Sequence, residues 1–150
     1  MTSPRAALES AYARTLLPLA KMWRQAADRA LRDMNVSAST GWAIVQVGRL
    51  GDDVRQTDLA SQLDVTQASL VRSIDQMTAA GLVERRRDPA DARVSRICLT
   101  EHGRALVTTI EAKFATLRAA MLDDVSDADL ATALRVAERL GARFMADRAR

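Results

Sequence analysis

Apolar residues along this chain recur at two spacings, and the change from one to the other locates its centre. Within residues 66–80, Leu70, Val71, Ile74 and Met77 fall at helical spacing on one face. The opposite face carries Gln67, Ser69, Arg72, Ser73 and Gln76, short or fork-shaped groups suited to base edges and phosphates. Thr66 stands at the N-cap, and Gly81 stands where a helix C-terminus takes a left-handed residue. After Gly81 the period becomes two. Leu82 and Val83 open a strand that continues through Arg85. A return strand over Val94–Leu99 sets Ile97 and Leu99 on one side, with Arg96 and Cys98 on the other. The turn between them, Arg86 to Arg93, is built on Asp88-Pro89 and is expected to be too polar to bury. Upstream, Gln56–Leu63 predicts a short helix capped by Thr57 or Asp58, and Asp64-Val65 turns the chain into Thr66. Leu59, Ala60, Leu63, Val65, Leu70 and Ile74 are the expected core of this helix pair. Two helices across a short turn, then a hairpin, make a winged helix-turn-helix outline.

Helical spacing dominates both ends. Residues 1–5 are expected to be loose, and a long helix is predicted over 6–34. Its inward stripe is Leu8, Tyr12, Leu16, Leu19, Trp23, Ala26 and Ala30. Pro18 inside it should kink or divide it, because proline removes a backbone hydrogen bond. Ser37 or Ser39 caps a second helix running to Leu50, with Trp42, Val45 and Leu50 inward. Gly51-Asp52-Asp53 is a turn, and Val54-Arg55 a short strand placed to pair with the wing. Thr100 caps a helix reaching Asp123 with Leu106, Ile110, Phe114, Leu117 and Met121 in line. Ser126 or Asp127 starts a last helix with Leu130, Leu134, Ala137, Leu140 and Phe144 in line.

The fold class is therefore mainly α with a small β-wing, in one domain spanning residues 1–150. A winged helix-turn-helix over about 37–100 is flanked by dimerisation helices over about 6–34 and 101–148. In a monomer these flanking helices would leave an apolar side uncovered. A homodimer that interlocks them resolves this; an intramolecular three-helix bundle is the alternative, and it would leave one reading head.

Charge refines the picture locally rather than globally. The net charge is only +3, and lysine occurs only at Lys21 and Lys113, so the basic residues are almost all arginine. Arg85, Arg86, Arg87, Arg93 and Arg96 outnumber Glu84, Asp88 and Asp91 in the hairpin. By itself that cluster reads equally as a solvated hairpin; the neighbouring helix-turn-helix turns it towards nucleic acid. One cysteine, Cys98, excludes an intramolecular disulfide framework and fits a reducing cytoplasm. The longest run without a charge, Met34–Gly48, has 15 residues and contains Asn, Ser, Thr and Gln, so no membrane span is expected.

Several marks in order, LAxxL, SLVRxID, GLVERR, DPxDxR and LTExGR, lie between Leu59 and Arg104. On these the chain resembles the MarR/SlyA family of bacterial transcription regulators, and the flanking helices extend the resemblance over nearly the whole chain. Where the family's wing often reads Asp-Arg-Arg, this chain has Asp91-Ala92-Arg93. The Asp and the second Arg, which in the family fix the wing tip and reach the minor groove, are kept. The resemblance implies a triangular homodimer acting on double-stranded DNA at a near-palindromic operator, most often as a repressor. Thr66, Gln67, Ser69, Arg72, Ser73 and Gln76 are then the groove-facing candidates, with Arg86, Arg87, Asp91 and Arg93 in the wing. It also implies a small aromatic, anionic effector between the dimer helices and the winged part, for which Tyr12, Arg14, Trp23 and Trp42 are the candidate residues.

Enzyme chemistry finds little support. His102 is the single histidine, so with one cysteine it makes no Cys/His zinc site, and no phosphate-binding or metalloprotease motif occurs. No cofactor is expected. Asp52-Asp53 and Asp123-Asp124 fit capping and solubility better than a metal. Two readings compete with effector control of DNA binding. One is a protein-binding adaptor built on the same fold, for which an outer helix face of Glu, Lys and Leu would speak. The other is redox control through Cys98, against which a small residue on a wing strand is the simpler explanation.

Overall fold

Serine and threonine hydroxyls set most of the helix starts. In the computed structural model, which describes residues 3–63 and 65–148, Ser3 accepts a hydrogen bond from the Ala6 amide at 3.1 Å. Helix α1 spans Pro4–Asp33, with proline at a first-turn position whose N–H would have had no partner anyway. The helix therefore starts earlier than the loose 1–5 expected, and Met1 and Thr2 lie outside the described residues. Pro18 does not divide it: α1 is continuous through that position, on a stretch exposed all round. Ser37, not Ser39, caps α2 (Ala38–Arg49) by accepting from the Thr40 amide.

Strand β1 (Asp53–Arg55) runs directly into α3 (Gln56–Leu63), so that helix begins ahead of Thr57 and Asp58, and Asp58 sits in its first turn. Asp64, in the link to the next helix, lies outside the described residues. Thr66 caps α4 (Gln67–Ala79) by accepting from the Ser69 amide at 3.2 Å. Gly81 follows the α4 C-cap at φ +69°, the left-handed turn its position calls for. Strands β2 (Val83–Arg87) and β3 (Ser95–Leu99) form the wing. Pairing reaches two residues further along β2 than the sequence suggests, and β3 begins at Ser95 instead of Val94. Helix α5 spans Glu101–Met121 and α6 spans Asp127–Arg148.

The sheet order is β1-β3-β2, all antiparallel, so β3 is central. Its register gives the sheet two unlike faces. Val54 and Arg85 flank Ile97, and Val83 lies opposite Leu99, so these residues share the face laid on the helices. Ile97, Leu99, Val83 and Val54 join Leu59, Ala60, Leu70, Ile74 and Met77 in one core with Ile44, Val45 and Val47 of α2. Arg55, Asp53, Arg96, Cys98, Glu84 and Arg86 occupy the other face. Val65 and Val71 are exposed and Leu63 only half-buried, so the helix-turn-helix core is narrower than its apolar residues suggest. Leu50, expected inward, is also exposed, and Trp42 is half-buried.

The wing is tied to α5 through Thr100. Its hydroxyl lies 2.6 Å from the Gly81 carbonyl oxygen and accepts from the Gly103 amide at 3.0 Å, while its amide donates to the Leu82 carbonyl. Gly103 is required here: a Cβ would stand 2.0 Å from the Leu82 carbonyl oxygen.

Two compact units are distinguished, Met1–Leu117 and Arg118–Arg150. In the first, α1 buries only Ala27, Ala30 and Leu31, while Leu8, Tyr12, Leu16, Leu19 and Trp23 of the predicted inward stripe are exposed. In the second, α6 buries no residue; Leu130, Leu134 and Phe144 are exposed. Helix α5 buries Ile110 and Phe114 but leaves Met121 exposed.

Candidate nucleic-acid interface

Helix α4 buries Leu70, Ile74 and Met77, and this fixes what it turns outward. Gln67, Ser69, Arg72 and Gln76 are exposed. Ser73 is half-buried on the flank, where its hydroxyl donates to the Ser69 carbonyl at 3.3 Å. Thr66 is committed to the cap: it accepts from the Ser69 amide and its hydroxyl donates to the Ser69 hydroxyl at 3.0 Å. Arg72 has no carboxylate partner among the described residues, so its guanidinium fork remains available for a base edge or phosphate.

The wing's arginines divide into engaged and available. Arg85 is paired with Asp75 at 2.6 Å, Arg86 with Glu84, and Arg96 with Asp53 and Asp88 at 2.8 and 2.9 Å. Arg87 and Arg93 are exposed and have no ion pair among the described residues. With Arg85, Arg86 and Ser95 they line one shallow cationic groove of about 290 Å³. Asp91 fixes the tip through backbone contacts: its carboxylate accepts from the Arg93 amide at 3.0 Å, and its carbonyl accepts from the Val94 amide at 2.9 Å.

The polar turn does contain a buried group, contrary to expectation. Asp88 is 4% exposed. Its carboxylate accepts from the Ala90 amide at 2.8 Å, from Arg96 at 2.9 Å, and lies 3.3 Å from the Arg55 guanidinium. The register sets Arg55 opposite Arg96 on the outer face, so two cations converge where the chain leaves β2. A carboxylate covered on that spot is stable because both charges and turn amides compensate it. Its acidity shows this: the Arg96 hydrogen bond, then the Ala90 amide, hold it down to about 2 from 3.8. Nothing in the local sequence marks Asp88 as buried, because Arg55 comes from a strand far upstream and only the β1–β3 register sets the two cations side by side.

The paired aspartates at the sheet edge have structural tasks. Asp52, at φ +66°, accepts from the Leu99 amide at 2.6 Å and binds Arg104 at 2.6 Å. Asp53 is held below its usual acidity range by Arg96 and by the Cys98 thiol, which donates to it at 3.3 Å. Cys98 itself is buried, and burial pushes its thiol up. A covered, protonated thiol is a poor nucleophile, which weighs against a redox role at this position. No group of metal-binding side chains occurs among the described residues.

Of the effector candidates, Trp42 is the one beside the cavity next to α4. Trp42 lines a cavity of about 130 Å³ with Arg24, Ser39, Leu63, Ser69 and Ser73. The Trp42 indole N–H donates to Asp28 at 2.7 Å, Arg24 lies 4.3 Å from the ring centroid, and Phe114 stacks at 5.4 Å. Tyr12, Arg14 and Trp23 lie on the exposed part of α1 and do not line this cavity. Arg24 is not among the residues that the sequence pattern nominates; its four-residue spacing from Asp28 is the signal that points to it.

A helix-turn-helix with this wing is shared with known proteins. A family model described as MarR family matches residues 34–94, from the end of α1 through the wing. The transcriptional regulator PA3341 is 27% identical, with 89% of this chain and 98% of that one covered at a TM-score of 0.82. The MarR family transcription regulator SP03579 is 26% identical, with coverages of 97% and 95% and a TM-score of 0.81. Over its winged part the chain is similar to the MarR family. These two relatives are named as transcription regulators, which supports the reading of this chain as a DNA-binding transcription regulator. The fold is shared at lower identity too. A mutant E. coli MarR complexed with operator DNA is 19% identical, with 85% of this chain and 91% of that one covered at a TM-score of 0.72. No helix among the described residues is long and apolar enough to cross a membrane.

The buried carboxylate gives this wing a defined acid response. Asp88 has a folded pKa below its unfolded one, so its stabilisation is fully present above about 3.8 and is lost as pH falls through about 2. Asp88→Asn is expected to lower the urea midpoint at pH 7. In urea titrations repeated down the pH scale, the gap from the unmutated protein should close between about pH 4 and pH 2. A gap that stays constant across that window would show that the Asp88 charge does not hold the wing.

Proposed function

We propose that this regulator is a cytoplasmic homodimer that reads a near-palindromic operator and represses transcription until a small aromatic carboxylate releases it. The observation that carries the DNA-reading part is Arg72. It stands exposed on a helix whose other face is locked in the core, with Arg87 and Arg93 available on the adjacent wing. Gln67, Ser69, Ser73 and Gln76 are the further groove candidates, with Thr66 fixing the start of that helix as its cap. Arg86, Arg87, Asp91 and Arg93 form or shape the wing contact. The outer face of α4 has the Gln, Ser and Arg chemistry of a DNA reader, which favours this over an adaptor for protein partners.

Dimer formation is supported by the apolar side chains left exposed: Leu8, Leu16, Leu19 and Trp23 on α1, and Leu130, Leu134 and Phe144 on α6. Large exposed apolar faces mark interaction surfaces. Two-fold symmetry then requires half-sites about 10 bp apart, centre to centre. Effector control is supported by the Trp42 cavity, whose volume of about 130 Å³ is on the scale that accepts one aromatic ring. Arg24 supplies the counter-charge there, the task that the sequence pattern suggests for Arg14. Ser69 and Ser73 bring α4 itself to the cavity wall, so a ligand there touches the reading helix directly. It releases DNA only by as much as it prefers the incompetent arrangement, about 1.4 kcal/mol for each tenfold.

Two experiments check these statements. In fluorescence-anisotropy titrations, Arg72→Ala should cost about 1–3 kcal/mol of operator affinity and relax sequence preference. Arg93→Ala should weaken operator and scrambled DNA alike and reduce the salt dependence; equal effects of both variants on both DNAs would remove the division of labour. For control, a panel of aromatic acids is titrated against a Trp23→Phe protein, in which Trp42 is the remaining tryptophan. Quenching together with loss of operator affinity, both abolished by Arg24→Ala, is expected. Quenching that survives Arg24→Ala would place the carboxylate elsewhere.

A further inference from the structure

The ion pair between Asp75 and Arg85 joins the reading helix to the wing. Asp75 lies in α4 and Arg85 in β2, at 2.6 Å, and both side chains are more than a third exposed at 57% and 37%. Arg85 stands opposite Ile97 in the register, which turns it to the helix side of the sheet. Glu84 and Arg86, its neighbours, belong to the outer face and pair with each other there. The alternation of the strand therefore delivers one wing arginine to α4 and sends the next one away from it.

A carboxylate on the exposed side of a DNA-reading helix is unfavourable for binding phosphate, so its position calls for a reason. Asp75 is three residues beyond Arg72, a spacing at which helical side chains pair. Left alone, it would compete with DNA for the guanidinium that carries base reading. Held by Arg85, it is drawn to the wing side and Arg72 stays available. Arg85 in turn is kept from following any phosphate it meets. We infer that Asp75 is a positioning residue for sequence-specific DNA binding: through Arg85 it sets the wing against the reading helix and keeps both arginines from indiscriminate contacts. This rests on the DNA-reading role proposed above.

Opposite effects on two DNAs test it. Asp75→Asn should reduce operator affinity by roughly three- to tenfold, on the scale of an exposed ion pair present twice in a dimer. Scrambled DNA should bind at least as tightly as before, because a carboxylate is gone and Arg85 is released. Arg85→Gln should also reduce operator affinity, by freeing Asp75 to engage Arg72, and should not tighten scrambled DNA. The double variant should lose no more operator affinity than the worse single one, and Asp75→Glu should restore most of it. Equal tightening of both DNAs by Asp75→Asn would show simple charge repulsion and overturn the inference, as would additive losses in the double variant. If the unmutated protein itself binds both DNAs equally, the DNA-reading proposal falls first and the inference with it. If it prefers its operator and Asp75→Asn leaves that preference intact, only the inference falls.

Discussion

The winged part depends on β3 having two unlike faces. A three-stranded sheet of such short strands has too little apolar area to stand alone, so one face must be laid on helices. Ile97 and Leu99 do this, and through them α2, α3 and α4 share one core. The other face cannot be apolar without being sticky, and here it is filled by opposed charges. Arg96, paired with Asp53 and Asp88, sits in the middle of that face and links β1 to the root of the wing. The buried Asp88 ties the turn at the end of β2 to Arg55 of β1 and Arg96 of β3.

Charge allocation follows from the same alternation. Arginines are numerous in and around the wing, yet the register commits Arg85, Arg86, Arg55 and Arg96 to carboxylates. Exposed pairs such as Arg86 with Glu84 contribute little to stability. In the function proposed here their effect is on recognition: they restrict which cations a passing phosphate can engage. Arg72 on α4 and Arg87 and Arg93 on the wing have no carboxylate partner among the described residues.

Much of this is legible in the sequence. The helical period of Leu70, Ile74 and Met77, the Thr66 cap, the Gly81 stop and the Val54-Arg55 strand all follow from local rules, and the structure agrees with them. What local rules do not supply is pairing at a distance. Asp88 reads as one more exposed turn residue, because its burial depends on Arg55 and Arg96 meeting across the sheet. Val65 and Val71 read as core because apolar identity does not say which side of a helix faces inward. Arg14 stands out over Arg24 for the same reason: a stripe on α1 gives the face, and only the fold shows which turn of it meets Trp42.

The central claim is that α4 and the wing together select one DNA sequence. Selection of bound fragments from a random-sequence duplex library, followed by sequencing, tests it whatever the operator is. The account predicts enrichment of a two-fold-related motif with half-site centres about one helical turn, or 10 bp, apart. A bound pool whose sequences match the starting library would contradict it.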